Sequence, residues 1–131
     1  MSEEEKKPKL RGFAKMVSKE VEPLNSYDKF KERYKDTEVK VLLNPKDGKE
    51  AALIILDKGK IYVESIKNTK ENLKKKNAGW DGFLEAKLQI FLDILTGGDV
   101  TVGMVVKKIL TRKAKIRGIK HVLILLQLFS I

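Results

Sequence analysis

The chain has 131 residues, a formal net charge of +10, one histidine (His121) and no cysteine. This length fits one domain with its own core, and the lack of cysteine excludes disulfides, thiolate nucleophiles and cysteine-ligated zinc. With a single histidine, metal sites built from several histidines are excluded as well.

Charged residues make up 35% of the chain and hydrophobic residues 42%, which is typical of a globular protein with an unusually charged surface. The Lys- and Glu-rich composition also favours a heat-adapted protein. Residues 1–9 predict a flexible polar tail rather than a secretory signal, and no apolar run reaches the ~18 to 20 residues of a membrane span. We therefore expect a cytoplasmic protein with a single domain over residues 10–131.

The first predicted elements are two amphipathic helices. Apolar residues recur at helical spacing over Leu10–Val21, and Pro23 is expected to end this helix. A second helix is predicted to run to about Lys35, with Asn25 or Ser26 as its N-cap.

Three strands follow as a predicted antiparallel meander. Apolar residues alternate over Val39–Leu43, and Asn44–Gly48 predicts a turn. The run Ala51–Leu56 is continuously apolar and predicts a strand covered on both faces. Another turn, Asp57–Gly59, leads into a third strand over Ile61–Ser65.

The middle of the chain predicts a loop, a strand and a short helix. Lys67–Asn77 predicts a polar, solvated loop that Trp80 closes against the core. Phe83–Lys87 predicts a fourth strand, and Phe91–Leu95 a helix that ends at the following Thr96-Gly97-Gly98.

The last third, residues 100–131, contains no acidic residue. It predicts a helix over Val102–Thr111 and a fifth strand over Lys113–Arg117 with one solvent-facing side. Gly118 breaks this strand. The apolar run Val122–Phe129 then predicts a buried final helix, with a sixth strand as the alternative.

The sequence predicts no catalytic, metal or cofactor site, and therefore no enzyme. His121 lies beside an apolar run, and no Gly-x-Ser-x-Gly motif is present to supply a nucleophile. The glycine-rich stretch Gly97–Gly103 lacks the Gly-Lys-Ser/Thr ending of a phosphate-binding loop.

The order of segments in the C-terminal half resembles the sterol carrier protein type-two family. In that family, an apolar helix with a Leu-Thr-Gly-like stop precedes a Met-containing helix, a strand of alternating Lys and apolar residues, and a Leu-rich final helix. The corresponding segments here are Phe91–Gly97, Met104, Lys113–Gly118 and Leu123–Leu128. The resemblance covers about residues 24–131.

This resemblance implies an α+β fold in which helices pack over one face of a mainly antiparallel sheet of about five strands, enclosing an apolar tunnel. It implies non-enzymatic binding and transfer of a sterol, fatty acid, fatty acyl-CoA or phospholipid. The lipid-binding positions would be Phe91, Ile94, Leu95, Met104, Val105, Ile109, Leu123, Leu126, Leu84 and Ile54. Ordinary core packing is the competing account for each of them.

The basic residues would then lie near the mouth of the tunnel. They would bind acidic lipid headgroups, a CoA phosphate or an anionic membrane surface, and they are Lys107, Lys108, Arg112, Lys113 and Arg117. A solvated basic surface without a partner is the alternative.

Two other functions remain open. A nucleic-acid-binding domain would use the Lys67–Lys76 segment and the basic last third, but Tyr62 is the only good stacking candidate, so we expect no nucleic-acid partner. An oligomerisation module would use the apolar C-terminal helix. We expect a monomer or a weak dimer.

Overall fold

A computed structural model describes residues 12–96 and 115–128, with side chains over 12–92 and 115–125. Its elements are α1 (Gly12–Val21), a 3-10 helix (Glu22–Ser26), α2 (Asp28–Arg33), β1 (Glu38–Pro45), β2 (Glu50–Asp57), β3 (Lys60–Lys67), α3 (Lys70–Leu73), α4 (Lys75–Ala78), β4 (Gly82–Ala86), α5 (Leu88–Thr96), β5 (Lys115–Arg117) and α6 (Ile119–Leu128). The predicted tail over residues 1–9 and the predicted helix over Val102–Thr111 lie outside the described residues.

The five strands form one mixed sheet in the order β3-β2-β1-β4-β5. β1, β2 and β3 form the predicted antiparallel meander, and β4 pairs antiparallel with β5. β4 runs parallel to β1, which requires the chain to cross the sheet between β3 and β4. The predicted fold class, an α+β domain with a mainly antiparallel five-stranded sheet, is confirmed.

One face of the sheet carries the main core. Side chains alternate between the two faces of a strand, and on this face Val41, Ile54 and Leu84 are buried beneath the longer helices. The helices α1, α2, α5 and α6 contribute, among others, Phe13, Val17, Phe30, Phe91 and Leu125. The predicted placement of helices over one face therefore holds for these four helices.

The opposite face carries a second, smaller core under α3 and α4. It consists of Leu42, Ala51, Leu53, Trp80 and Phe83, with Leu73 and Ala78 among the partly buried residues packed against it. The expectation that β2 is covered on both faces is confirmed. The solvated loop predicted over Lys67–Asn77 is wrong, because this segment forms two short helices that cover apolar strand residues. Trp80 does close the segment, since its Nε1 donates a hydrogen bond to the Leu73 carbonyl at 2.8 Å.

The predicted helix cap at Asn25 or Ser26 is also wrong. α1 ends at Val21, before Pro23 as expected, but α2 begins only at Asp28. The Asn25 side chain instead donates from Nδ2 to the Ile61 carbonyl (2.9 Å) and accepts at Oδ1 from the Ile61 amide (2.8 Å). Because Ile61 lies on the edge strand β3, this amide takes the place that a neighbouring strand would occupy.

Replacing Asn25 by alanine is expected to lower the free energy of unfolding by about 2 kcal/mol, since two hydrogen bonds of about 1 kcal/mol each are lost. Chemical denaturation measures the effect. The control is Ser26→Ala, which removes only an exposed bond to the Pro23 carbonyl and should change stability by less than about 0.5 kcal/mol. Equal losses in the two variants would contradict this role for Asn25.

Candidate functional site

The helix α6 lies against the main-core face and leaves a narrow apolar gap between itself and the sheet. Aliphatic side chains from β1, β2 and α6 line the gap: Val39, Val41, Ile54, Leu56, Ile124 and Leu125. Its volume is ≈ 10 Å³, about the room that one water molecule requires. Because these side chains offer no hydrogen-bonding group, the gap favours apolar atoms over water.

A close backbone approach fixes where α6 starts. Gly118, between β5 and α6, has a left-handed φ of +61° and lies directly against the backbone of Asp81 and Gly82. The first turn of α6 closes on it, because the amides of His121 and Val122 donate to the Gly118 carbonyl at 2.9 and 3.2 Å. This junction therefore sets how α6 crosses the sheet.

Over Ile119–Leu125, where its side chains are described, α6 is deeply buried on one side. Val122 and Leu125 are almost fully buried, whereas Ile119 is 49% exposed and Leu123 and Ile124 are half-buried. The predicted final helix is confirmed as a helix, and of its described side chains within Val122–Phe129, Val122 and Leu125 are buried while Leu123 and Ile124 are half-buried. The partial exposure of Ile119, Leu123 and Ile124 lowers the cost of separating this part of α6 from the sheet.

The comparison with solved structures identifies the architecture. The chain superposes on a ubiquinone synthesis protein described as UbiJ-SCP2 with a TM-score of 0.55 and 11% identity, over 92% of this chain and 93% of that one. The chain has the sterol carrier protein type-two fold.

A second solved structure agrees with this fold. It is a conserved hypothetical protein from Thermus thermophilus, described as a possible sterol carrier protein. The TM-score is 0.53 at 16% identity, over 85% of this chain and 75% of that one. No family model and no curated protein matches the sequence. The two solved structures confirm, at the level of the fold, the resemblance predicted from the C-terminal segments.

Within the sterol carrier fold, the predicted lipid-binding positions fall into three groups. Four have described side chains: Ile54 lines the gap, Leu84 is buried on β4 on the same face, Leu123 is half-buried on α6, and Phe91 is buried. Backbone alone is described, within α5 and α6, for Ile94, Leu95 and Leu126. Outside the described residues lie Met104, Val105 and Ile109.

Phe91 does not line the gap and packs in the main core instead. Its ring packs against Phe13 with the ring centres 5.2 Å apart, which joins α5 to α1. Phe91 is 2% exposed.

Sequence reasoning missed five of the six lining residues: Val39, Val41, Leu56, Ile124 and Leu125. The strand alternation placed Val39 and Val41 on one face, so a signal for these two was present. For α6 there was no such signal, because a helix that is apolar all round does not show which positions face the sheet.

Arg117, one of the predicted headgroup residues, lies on the far side of the sheet from the gap. Its neighbour Ile116 packs into the main core, so Lys115 and Arg117 project from the opposite face, where Arg117 pairs in register with Phe83. The other four predicted headgroup residues lie outside the described residues: Lys107, Lys108, Arg112 and Lys113.

The six side chains that line the gap carry no polar group. His121 is half-buried at the start of α6, and its buried Nδ1 finds no hydrogen-bond partner within the described structure. Over residues 12–96 and 115–128, no group of three or more His, Asp or Glu residues is placed to hold a metal ion. No helix in the described part of the chain has the length and apolarity to cross a bilayer.

Proposed function

We propose that the protein binds the alkyl part of a lipid between α6 and the sheet and transfers the lipid without chemical reaction. The observation that carries this proposal is the gap lined only by aliphatic side chains beneath a terminal helix. The fold supports it, since one structural neighbour is described as a possible sterol carrier protein.

The gap must widen before a lipid can enter. At ≈ 10 Å³ it does not hold an alkyl chain, so the ligand has to displace α6 from β1 and β2. Exposing Val122 and Leu125, the fully buried side chains in the described part of α6, costs roughly 3 to 6 kcal/mol. Burying an alkyl chain of about 16 carbons contributes roughly 12 kcal/mol at about 0.8 kcal/mol per CH₂, so the exchange is favourable.

In this proposal, the space between the displaced α6 and the sheet is the apolar tunnel. The lining offers no polar group to a hydroxyl or a carboxylate, so the polar end of the ligand stays outside. Fatty acids, fatty acyl-CoA and phospholipids meet this requirement through their alkyl chains, and sterols through their hydrocarbon end.

The test is lipid binding by wild type and by two matched variants of α6. Native mass spectrometry of the purified protein reports lipid that co-purifies, and titration with a fluorescent fatty acid reports affinity after delipidation. Ile124→Asp places a carboxylate in the gap and is expected to weaken binding at least about tenfold, because burying an unpaired charge is strongly unfavourable. Ile119→Asp adds the same charge on the same helix at a half-exposed position and should change affinity less than about twofold.

Two results would contradict the proposal. One is a purified protein that carries no lipid and binds none of the four ligand classes. The other is equal weakening by Ile124→Asp and Ile119→Asp, since binding would then not depend on the gap.

A further inference from the structure

Two basic segments that are far apart in sequence lie on the same face of the sheet, opposite the gap. The first is α3–α4, which crosses this face and packs Leu73 and Ala78 onto it. The second is β5, whose Lys115 and Arg117 project from the same face. We name as the basic face the residues Lys40, Lys70, Lys74, Lys75, Lys76, Lys115 and Arg117.

The α3–α4 segment is a fixed support for its lysines. The Thr69 hydroxyl caps α3 by accepting from the Asn72 amide at 3.2 Å, and Asn77 Nδ2 donates to the Glu71 carbonyl at 2.6 Å. Lys75 Nζ lies 5.6 Å from the centre of the Trp80 ring, in the range of a cation–π contact. Because these bonds hold the backbone of the segment in place, the backbone need not be ordered when an anionic surface binds.

Positive charge is concentrated in the α3–α4 segment relative to α1 and α2. Residues 68–78 contain four lysines and one acidic residue, Glu71, whereas residues 12–36, which include α1 and α2, contain six basic and five acidic residues. Glu71 already pairs with Lys74 at 3.2 Å.

Two acidic side chains next to the basic face are held by hydrogen bonds from neutral groups, which fix their positions and leave their negative charge in place. Asp81 accepts from the Lys40 backbone amide at 2.9 Å, and Glu85 accepts from Asn44 Nδ2 at 2.7 Å. The remaining acidic residues of this face lie towards the β2–β3 hairpin and the β3 edge, and these are Glu38, Asp57 and Glu64.

We propose that the basic face docks the protein on an anionic phospholipid bilayer. It complements negative charge but offers few aromatic groups to nucleic acid, because Trp80 and Phe83 are only 8% and 6% exposed and Tyr62, 39% exposed on β3, is a single stacking candidate where single-strand binders use several. α3 and α4 have four residues each, too short to serve as recognition helices in a groove. Six of the seven basic residues are lysines, which meet phosphates as point charges.

This inference rests on the proposed function, since a lipid carrier has to reach a membrane to deliver its lipid. The docking itself depends only on the charge of the basic face. The sheet separates the basic face from α6 and the gap. Docking through the basic face therefore leaves α6 free to move, and membrane binding and lipid binding can be measured independently.

The experiment compares two triple variants of the full chain that lose the same charge. One replaces Lys70, Lys76 and Lys115 by glutamine on the basic face, and the control replaces Lys15, Lys19 and Lys29 by glutamine in the helical layer; all six are exposed. Cosedimentation with phosphatidylcholine vesicles, with and without phosphatidylglycerol, measures partitioning at low and at physiological salt. At about 1 kcal/mol per lysine, the first variant should bind anionic vesicles roughly 100-fold more weakly, and the control should stay within about threefold of wild type.

Three outcomes would overturn this docking site. The first is a wild-type protein that does not bind anionic vesicles. The second is an equal loss of binding in the two triple variants, in which case net charge alone is responsible. The third is tighter binding to duplex DNA or RNA than to anionic vesicles at the same salt, which would assign the face to nucleic acid instead.

Fluorescent fatty-acid binding, measured in parallel, separates this inference from the proposed function. It should be unchanged in both triple variants, because the gap lies on the other side of the sheet. Its absence in wild type would count against the proposed function and not against the docking face.

Discussion

Gly118→Ala is expected to lower the free energy of unfolding by about 3 kcal/mol or more and to loosen α6. Gly118 has a φ of +61°, a conformation that costs an L-residue roughly 1–2 kcal/mol. A methyl group there would also collide with the Asp81 carbonyl oxygen and lie 3.2 Å from Gly82 Cα. These neighbours are backbone atoms of β4 and the turn before it, so they cannot turn aside as a flexible side chain would.

Gly79→Ala is the matched control, because it introduces the same unfavourable left-handed backbone conformation without the steric clash against a neighbouring backbone. Gly79 has a similar φ of +73°, but the nearest atom to a methyl group there is the mobile Lys40 Nζ at 4.0 Å. It should lose only about 1 to 2 kcal/mol. Chemical denaturation followed by Trp80 fluorescence gives both values, and limited proteolysis near the C-terminus reports whether α6 has detached.

If Gly118→Ala loses no more stability than Gly79→Ala, the close approach does not hold α6 in place. Fatty-acid binding is the second readout for the Gly118 variant. Since α6 supplies Ile124 and Leu125 to the gap, a displaced helix should also weaken lipid binding.

The sheet could be predicted from sequence because its signals are local. The alternation around Val39 and Val41, the apolar run Ala51–Leu56 and two short turns are each sufficient for a strand or a hairpin. The order of strands is not a local property. Nothing in the residues of β4 indicates that it pairs parallel with β1. Since β5 pairs with β4, the side of the sheet that Arg117 faces could not be predicted without that pairing.

The errors arose where a residue's partner is distant in sequence. Asn25 has the composition and position of a helix cap, but a better arrangement is available at Ile61, where it satisfies both backbone groups of an edge residue. The lysine-rich segment 67–77 is mostly solvent-exposed, but one apolar residue in it, Leu73, packs onto the second core. One such residue in a charged run does not distinguish a covering helix from a loop.

The candidate site was predictable as a region but not residue by residue. The resemblance pointed to the sheet floor and the final helix, and Ile54 does line the gap. The helix α6 has only a weak amphipathic pattern, so the positions that face the gap, Ile124 and Leu125, depend on the angle at which the helix leaves Gly118. That angle is a tertiary property, which is why the glycine and the gap have to be tested together.

The second large effect is expected from Leu125→Ala, which should lower the free energy of unfolding by about 3 kcal/mol, within the usual 2–5 kcal/mol for a buried leucine. Leu125 is 2% exposed and lines the gap, so its truncation enlarges an existing apolar space. An enlarged space of this kind stays dry and accepts apolar ligands. A saturating fatty acid should therefore restore part of the lost stability, up to about 2.7 kcal/mol at a ligand concentration 100 times the Kd.

Leu53→Ala removes the same atoms from the other side of the sheet and is the matched control. Leu53 is 3% exposed and belongs to the second core beneath α3 and α4, so its truncation should cost a similar amount. Its cavity is separated from the gap by the sheet, so the fatty acid should stabilise this variant no more than it stabilises wild type. Thermal unfolding with and without ligand gives the comparison. An equal ligand-induced shift in the two variants would show that the lipid does not enter beneath α6, because only Leu125→Ala changes the space there.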